Sequence, residues 1–388
     1  MSMDYYMLSP RDVLFFRDAR PMDIDQNDTE LRNIGHGSSW PRPDHLYNAV
    51  MHAVIGSRLC GEAVEYGKHQ DVRVQGPFPM RGESVYFPRP LDWDMLVEPC
   101  VGTDLPGYLK FGFIDRVEGK KSYSAWISAD DYRRYLSGEV GAGKTGGELD
   151  EPGRPEDPLF CTESRVSTTI DPLTGASKRV TGKASGQYQA DYLRLGKGVS
   201  MWCGINVGKN GDATRIDSFI FGGQGGMVSS RPCGNECTLE RLFPCPDFSA
   251  VASASPVFVK WTLLAPAYFA RTGWLPGWCE DSTKGISDEA RRDSRGNVKF
   301  PDCEGVRLVG ACVGKPEWFS GWDTQSGVKP TRLVVPAGSA YIFECPDAGK
   351  AQALASRLHL KNPSDLGSQG FGLGVCSPLS RIAVNRMA

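Results

Sequence analysis

Glycines at two strand ends are the first residues in this chain that could do chemistry. Ser368–Gly374 reads Ser-Gln-Gly-Phe-Gly-Leu-Gly, and a second run is Gly222-Gly223-Gln224-Gly225-Gly226. Backbone without side chains turns sharply and approaches another chain closely. Its free N–H groups can cradle a phosphate, although a helix C-cap followed by a tight turn needs the same residues. A third run, Gly138 to Thr145, spells a phosphate-loop consensus with Lys144 in the lysine place. That motif requires a strand before it and a helix N-terminus after it. Here a charged, helix-like Asp130–Leu136 precedes, and Gly146, Gly147, Pro152 and Pro155 oppose a helix afterwards. It reads as a chance match in a loop.

Acid–base chemistry has few carriers. The chain holds five histidines: His36, His45, His52, His69 and His359. His45 and His52 read as partly exposed helix residues without an acidic partner to complete a metal set. His36, between Gly35 and Gly37 and close in sequence to Arg17 and Arg20, is the one suited to RNA chemistry. A metal-free ribonuclease needs a base near a 2′-hydroxyl and cations for the developing charge, and a loop histidine can also simply touch RNA. No catalytic residue is assigned.

The best local basic patch runs from Glu163 to Lys197, with six cations (Arg165, Lys178, Arg179, Lys183, Arg194, Lys197) against three acids (Glu163, Asp171, Asp191). Cations interleaved with Tyr188 and Tyr192 suit a nucleic-acid strand, whose phosphates are neutralised and whose bases stack. Over the whole chain 44 basic residues balance 46 acidic ones, a net charge of −2, so any nucleic-acid surface is local. Of twelve cysteines, Cys60, Cys203, Cys312 and Cys376 read as buried thiols. Cys233, Cys237 and Cys245 share a Pro-rich loop, but their irregular spacing lacks a local fourth ligand, so no metal or cofactor is assigned.

These residues need elements to hold them, and 388 residues suffice for two cores. Residues 5–16 read as a first strand, followed by the charged exit Arg17-Asp18-Ala19-Arg20-Pro21. Asp44 reads as the cap of a helix to about Leu59, with Leu46, Val50, Ala53 and Val54 on one stripe. Strand, loop and amphipathic helix open a βαβ unit or its split, ferredoxin-like form. Residues 137–158 form a polar insertion. Residues 163–195 form a projecting hairpin, with Val166, Thr168 and Ile170 on one face of the first arm and turn chemistry at Asp171–Gly175. Met201–Val207 and Ile216–Phe221 close a first domain, 1–228. A connection over 229–255 leads to a second domain, 256–388, which opens on the apolar strand Val257–Leu264. Toward its end a helix is capped by Asp347 and buries Ala351, Leu354, Ala355 and Leu358. The glycine loop 368–374 follows it. The expected class is α+β. The N-terminus lacks a signal-peptide pattern and no apolar run reaches the ~20 residues of a membrane span, so the expected location is the cytoplasm.

The order of several motifs resembles one family. Leu14-Phe15-Phe16-Arg17-Asp18-Ala19-Arg20-Pro21, Glu163-Ser164-Arg165-Val166, Gly222–Gly226, Lys260–Ala265 with Gly273-Trp274-Leu275-Pro276, Val335–Ser339 and Gly370–Gly374 together look like the third subunit of Cmr-type (type III-B) CRISPR effectors. That subunit belongs to the RAMP superfamily, Cas five group. The likeness spans nearly the whole chain, excluding 137–158. Gln224 and Gly226 stand where the family favours an acid and an arginine, and Arg42-Pro43-Asp44-His45 replaces a Ser/Thr-rich turn. The resemblance implies two ferredoxin-like domains, a thumb hairpin, and a non-catalytic RNA-binding scaffold. As implied partners it brings the 5′ tag of a guide RNA, the large polymerase-like subunit, a RAMP backbone subunit and, indirectly, target RNA. The enzyme alternative within the superfamily is a metal-independent CRISPR-RNA processing endoribonuclease. The RNA-contacting residues expected on this basis are Arg17, Arg20, His36, Arg165, Lys178, Arg179, Lys183, Gly222, Gly223, Gln224, Gly225, Gly370, Phe371, Gly372 and Gly374.

Overall fold

Two sheets, each holding four antiparallel strands in the same spatial order, organise the chain. The computed structural model describes residues 3–18, 33–55, 71–99, 109–115, 124–139, 158–168, 170, 173–176, 187–209, 216–249, 255–279, 296–323, 327–328 and 330–379. They fall into two units. The first is Met1–Gly82, Pro155–Pro232 and Trp318–Arg332; the second is Glu83–Arg154, Cys233–Glu317 and Leu333–Ala388. One boundary between the units, Pro232 to Cys233, falls within the expected connection 229–255. Residues 83–154 cluster with the second half because strand Phe111–Asp115 pairs with the strand containing Gly310. Residues 318–332 cluster with the first.

In the first unit β1 is Asp4–Pro10, α1 Pro43–Ile55, β2 Arg73–Arg81, β3 Phe160–Thr168, β4 Gln187–Leu195, β5 Val199–Asn206, β6 Ser218–Ile220 and β7 Met227–Pro232. The sheet runs β6-β7-β1-β5-β2, antiparallel throughout. Among β1, β2, β5 and β7 the spatial order is fourth, first, third, second. Period two explains the burial: Met201, Cys203 and Ile205 of β5 join the core under α1. Trp202 turns to the other face, where it stacks on Tyr5 with centroids 4.9 Å apart. Leu46, Val50 and Val54 of α1 are fully or nearly buried, each stabilising by about 1.5–3 kcal/mol.

Two expectations change here. The first strand ends at Pro10, and Val13–Phe16 forms a separate strip with its own partners. Helix α1 is Pro43–Ile55, and the remainder of the expected span to about Leu59 lies outside the described residues. Asp44 therefore sits inside the first turn, where its carboxylate takes the Arg42 guanidinium at 3.1 Å. It complements the helix dipole and a neighbouring cation.

The hairpin pairs β3 with β4 along nine positions, Phe160↔Leu195 to Thr168↔Gln187. It is inserted between the second and third strands of the sheet order. Asn33–Gly35 adds a parallel third strand beside β4. Near the tip Val166 is 72% exposed and Ile170 60%, so that face of the first arm is bare. Toward the base Leu193 enters the unit's main core, while Ala190 and Tyr192 pack against Val13 and Phe15.

In the second unit α2 is Ala129–Leu136, β8 Val257–Leu263, β9 Arg307–Cys312, β10 Ala340–Cys345, α3 Ala348–Leu358 and β11 Gly374–Pro378. The order β11-β8-β10-β9 is again fourth, first, third, second, and antiparallel. Asp347 caps α3 by accepting from the Lys350 N–H at 2.8 Å, and Ala351, Leu354, Ala355 and Leu358 are its buried residues. All seven residues of β8 are buried, which includes a lysine, Lys260. Among the described residues no helix is long and apolar enough to cross a membrane. The Gly138–Thr145 match lies mostly outside the described residues.

Candidate functional site

The strip Leu14–Asp18 brings most of the described candidate residues together, all in the first unit. Leu14 exchanges both backbone hydrogen bonds with Leu193, at 3.0 and 2.8 Å. The Phe15 carbonyl accepts from the Gly223 N–H at 2.7 Å, the Phe16 carbonyl from Ser38 at 2.6 Å, and the His36 carbonyl from Asp18 at 3.1 Å. Leu14 and Phe16 point into the core under α1, and Val13 and Phe15 pack on Ala190 and Tyr192. The alternation ends at Arg17, which is exposed and bridges backbone-to-backbone with Gly37.

Glycine is required where these segments meet. A Cβ on Gly37 would fall on the Asp191 carbonyl oxygen, and one on Gly222 (φ +88°) would lie 2.6 Å from the Phe15 oxygen. Gly37→Ala is therefore expected to push the 36–38 segment off β4 at a cost of about 1–3 kcal/mol. Thermal unfolding against the parent checks this; an unchanged midpoint would mean that the 36–38 segment does not pack on β4.

The glycine loop is pinned as much as it is open. Gly223 donates to Phe15, and Gly226 donates to Gly223 at 3.2 Å. Gln224 adopts φ +56°, a left-handed conformation uncommon for a residue with a side chain, and its Oε1 accepts from the Tyr192 hydroxyl at 2.5 Å. Gly225, at φ +71°, has open space around its Cα. Gly222 and Gly223 thus lie against Phe15 and Phe16 of the strip, Gln224 reaches the hairpin base through Tyr192, and Gly225 faces open space.

The same hairpin face carries an ionic cluster. Glu163 Oε1 accepts from Arg165 Nε at 2.7 Å and from Arg194 Nη2 at 3.1 Å, and its other oxygen accepts from Arg194 Nε. Asp12 accepts from Arg165 at 2.9 and 3.3 Å and from Arg194 at 3.2 Å. The Arg165 guanidinium also lies 5.6 Å from the Tyr192 ring centroid. Hydrogen bonds from Arg194 and Arg165 hold Glu163 down at about 2, and those from Arg165 and then Arg194 lower Asp12. The Arg165 and Arg194 guanidinium groups titrate higher in return. Two of the six cations of the linear patch are thereby matched by carboxylates, one of which, Asp12, lies 153 residues from Arg165.

His36 Nδ1 stands 3.8 Å from Asp191 Oδ2, and the other Asp191 oxygen accepts from the Ser164 hydroxyl at 2.5 Å. The carboxylate orients the ring toward β4 while 37% of the His36 side chain is exposed. Arg20, Lys178, Arg179 and Lys183 lie outside the described residues.

The other glycine stretch belongs to the second unit and is built differently. Gln369 donates to Leu366 at 3.0 Å, Gly370 to Gly367 at 3.0 Å, Phe371 to Leu366 at 3.4 Å and Gly372 to Pro266 at 2.7 Å. Phe371 and Leu373 are fully buried. Gly370 and Gly372 have φ of +92° and +78°, and a Cβ on Gly372 would meet Ser364 at 2.6 Å. At Gly374 a Cβ would collide with Trp261. These glycines make a tight turn into β11, and the backbone donors of 369–372 are already committed to carbonyls.

Cys203, Cys312 and Cys376 are buried thiols, while Cys60 lies outside the described residues. Burial and then the Cys237 thiol push Cys233 up to about 12. Among the described residues no group of three or more His, Cys, Asp or Glu could hold a metal. Sequence reading missed Asp12 and the Tyr192–Gln224 link, which no local pattern announces. It also passed over Lys260, whose signal was a lysine in the middle of an apolar strand.

The CRISPR-associated protein family Cas_Cmr3 matches residues 6–376. Among solved structures, the chain is similar to a chain of the type III-B Cmr-beta complex bound to cognate target RNA, at 13% identity over 88% of this chain and 86% of that one, TM-score 0.45. It is also similar to a chain of the Csm3–Csm4 subcomplex of the type III-A CRISPR-Cas interference complex, at 10% identity over 89% and 94%, TM-score 0.40. A third is a chain of the Csm1–Csm4 cassette in complex with AMPPNP, at 13% over 87% and 86%, TM-score 0.35. No curated protein matches.

Proposed function

The chain belongs to the Cas_Cmr3 family of CRISPR-associated proteins, and from that premise we propose that it is a non-catalytic RNA-binding scaffold subunit of a cytoplasmic type III-B effector. In this reading it holds the 5′ tag of the guide RNA and docks the large polymerase-like subunit to the RAMP backbone subunits for RNA targeting. Each four-strand sheet is a ferredoxin-like domain, and β3–β4 is the thumb.

The observation that carries the reading is the convergence of the Leu14–Asp18 strip, the 36–38 segment, the glycine loop and the hairpin base in one unit. It presents Arg17 and His36, and extends along a hairpin whose tip sequence holds Lys178, Arg179 and Lys183. Gly370, Phe371, Gly372 and Gly374 leave the proposed RNA surface, since their loop is a core turn.

Each phosphate contact adds about one unit to the salt slope, and slightly less for single strands. Lys178→Ala, Arg179→Ala and Lys183→Ala combined should therefore flatten guide-RNA binding by the assembled complex by roughly two units. An unchanged slope and affinity would move the RNA surface to the glycine loop and Arg17. The 3.8 Å approach of His36 to Asp191 favours the ribonuclease as second reading. Cleavage of repeat RNA by the purified chain that disappears in His36→Ala would replace the scaffold with it.

A further inference from the structure

The four charges at the hairpin base sum to zero: Arg165 and Arg194 against Asp12 and Glu163. Glu163 lies on the arginines' own face, since β3 pairs with β4 so that residues 163, 165 and 194 share a side. Asp12 comes from another segment, two residues beyond the end of β1, and its side chain is 56% exposed. It makes a two-pronged contact with one guanidinium and a single contact with the other. That is how an arginine pair grips a phosphodiester: planar forks, two acceptor oxygens, one shared anion. The arginines are preorganised for it, Arg165 by the Tyr192 ring and both by Glu163.

We infer that Asp12 stands in for a backbone phosphate of RNA: Arg165 and Arg194 form a phosphate site that the Asp12 carboxylate fills in the free protein and leaves when RNA binds. The inference rests on the RNA-binding reading above. Asp12 is the exchangeable anion because an exposed ion pair contributes little, so a bidentate phosphate competes with it readily. Glu163 is the permanent one, held by both guanidiniums from within the hairpin. With Asp12 in place the arginines carry no net charge into the encounter, so weak, non-specific RNA contacts draw little from them. Only RNA positioned to offer a phosphate at this point displaces the carboxylate, so the site favours register over bulk attraction.

The test is guide-RNA binding by the full chain, alone and in the assembled complex, over a salt series, with thermal unfolding as the fold control. Asp12→Asn should bind about three- to tenfold more tightly at low salt, because two exposed ion-pair contacts no longer compete. Its salt slope should steepen by about 0.7, the value for one additional single-strand phosphate contact. Asp12→Glu, which keeps the competing charge, should stay within about twofold of the parent. Arg165→Ala with Arg194→Ala should erase the gain from Asp12→Asn. If Asp12→Asn binds the same or more weakly while Asp12→Glu folds normally, the stand-in idea is wrong and Asp12 is a structural tether. If the parent chain and complex bind no guide RNA, both this inference and the RNA reading fall.

Discussion

Asp92→Asn alone is expected to destabilise the second unit by about 3–5 kcal/mol, the usual cost of leaving a buried charge unpaired. Lys260 Nζ lies 3.4 Å from Asp92 Oδ2 with both side chains almost completely buried, and 3.9 Å from the Tyr135 ring centroid. The Tyr135 hydroxyl donates to the other Asp92 oxygen at 2.5 Å. Burial, and then the Asp92 charge, hold the Tyr135 phenol well above its ordinary range. Asn keeps an acceptor for Tyr135 but leaves the ammonium without a counter-charge in a low-dielectric interior. Asp92→Asn with Lys260→Met removes the charge as well, and the double variant should recover most of the loss. Denaturant midpoints followed by tryptophan fluorescence decide it, since Trp93 and Trp261 are buried in the same unit. A single variant within about 1 kcal/mol of the parent would mean the pair is hydrated and the buried description is wrong.

The first unit should lose stability as pH falls below neutrality, through His45. Its ring stacks on Phe16 with centroids 5.2 Å apart. Nδ1 accepts from the Arg42 N–H at 3.2 Å, and Nε2 lies 3.3 Å from the Arg42 guanidinium. Burial lowers His45 to about 4, with Arg42 adding to the shift and Asp44 opposing it. A histidine lowered by folding binds its proton more readily in the unfolded chain. Its contribution is complete above the ordinary value near 6.5 and is lost as pH falls toward about 4, up to about 3 kcal/mol in all. His45→Gln keeps an acceptor for the Arg42 N–H and cannot titrate. The difference in unfolding midpoint between parent and variant should shrink from pH 7 to pH 4.5. A pH-independent difference would place the imidazole in contact with water.

Much of the architecture was legible because it depends on a few consecutive residues. The stripe Ala351, Leu354, Ala355 and Leu358 with Asp347 as cap specifies α3 and its buried face, since 3.6-residue periodicity and capping are local properties. Period-two alternation located β5, and the apolar run around Lys260 located β8. The lysine itself was lost in that run because its partner lies 168 residues away. The glycines marked sharp turns correctly, but sequence could not say whether their donors face a ligand or a carbonyl. Gly372 donates to Pro266, which only the packing of β11 beside β8 brings within reach.

Charge shows the same boundary between the two levels. Composition alone excluded a basic domain and directed attention to the hairpin, because net charge and cation counts need no coordinates. The linear count of six cations to three acids overstated the patch. Strand pairing sets Glu163 beside Arg165 and Arg194, and the segment after β1 carries Asp12 onto them from far outside the counted stretch. Residue types and spacing thus determined the α+β class, the principal helices and strands, the glycine turns and the family likeness. Sheet register and long-range segment placement decided which cations are already paired, which glycines are buried, and that Arg17, His36 and Gln224 share one unit. Those outcomes depend on contacts between residues distant in the chain, which local periodicity does not encode.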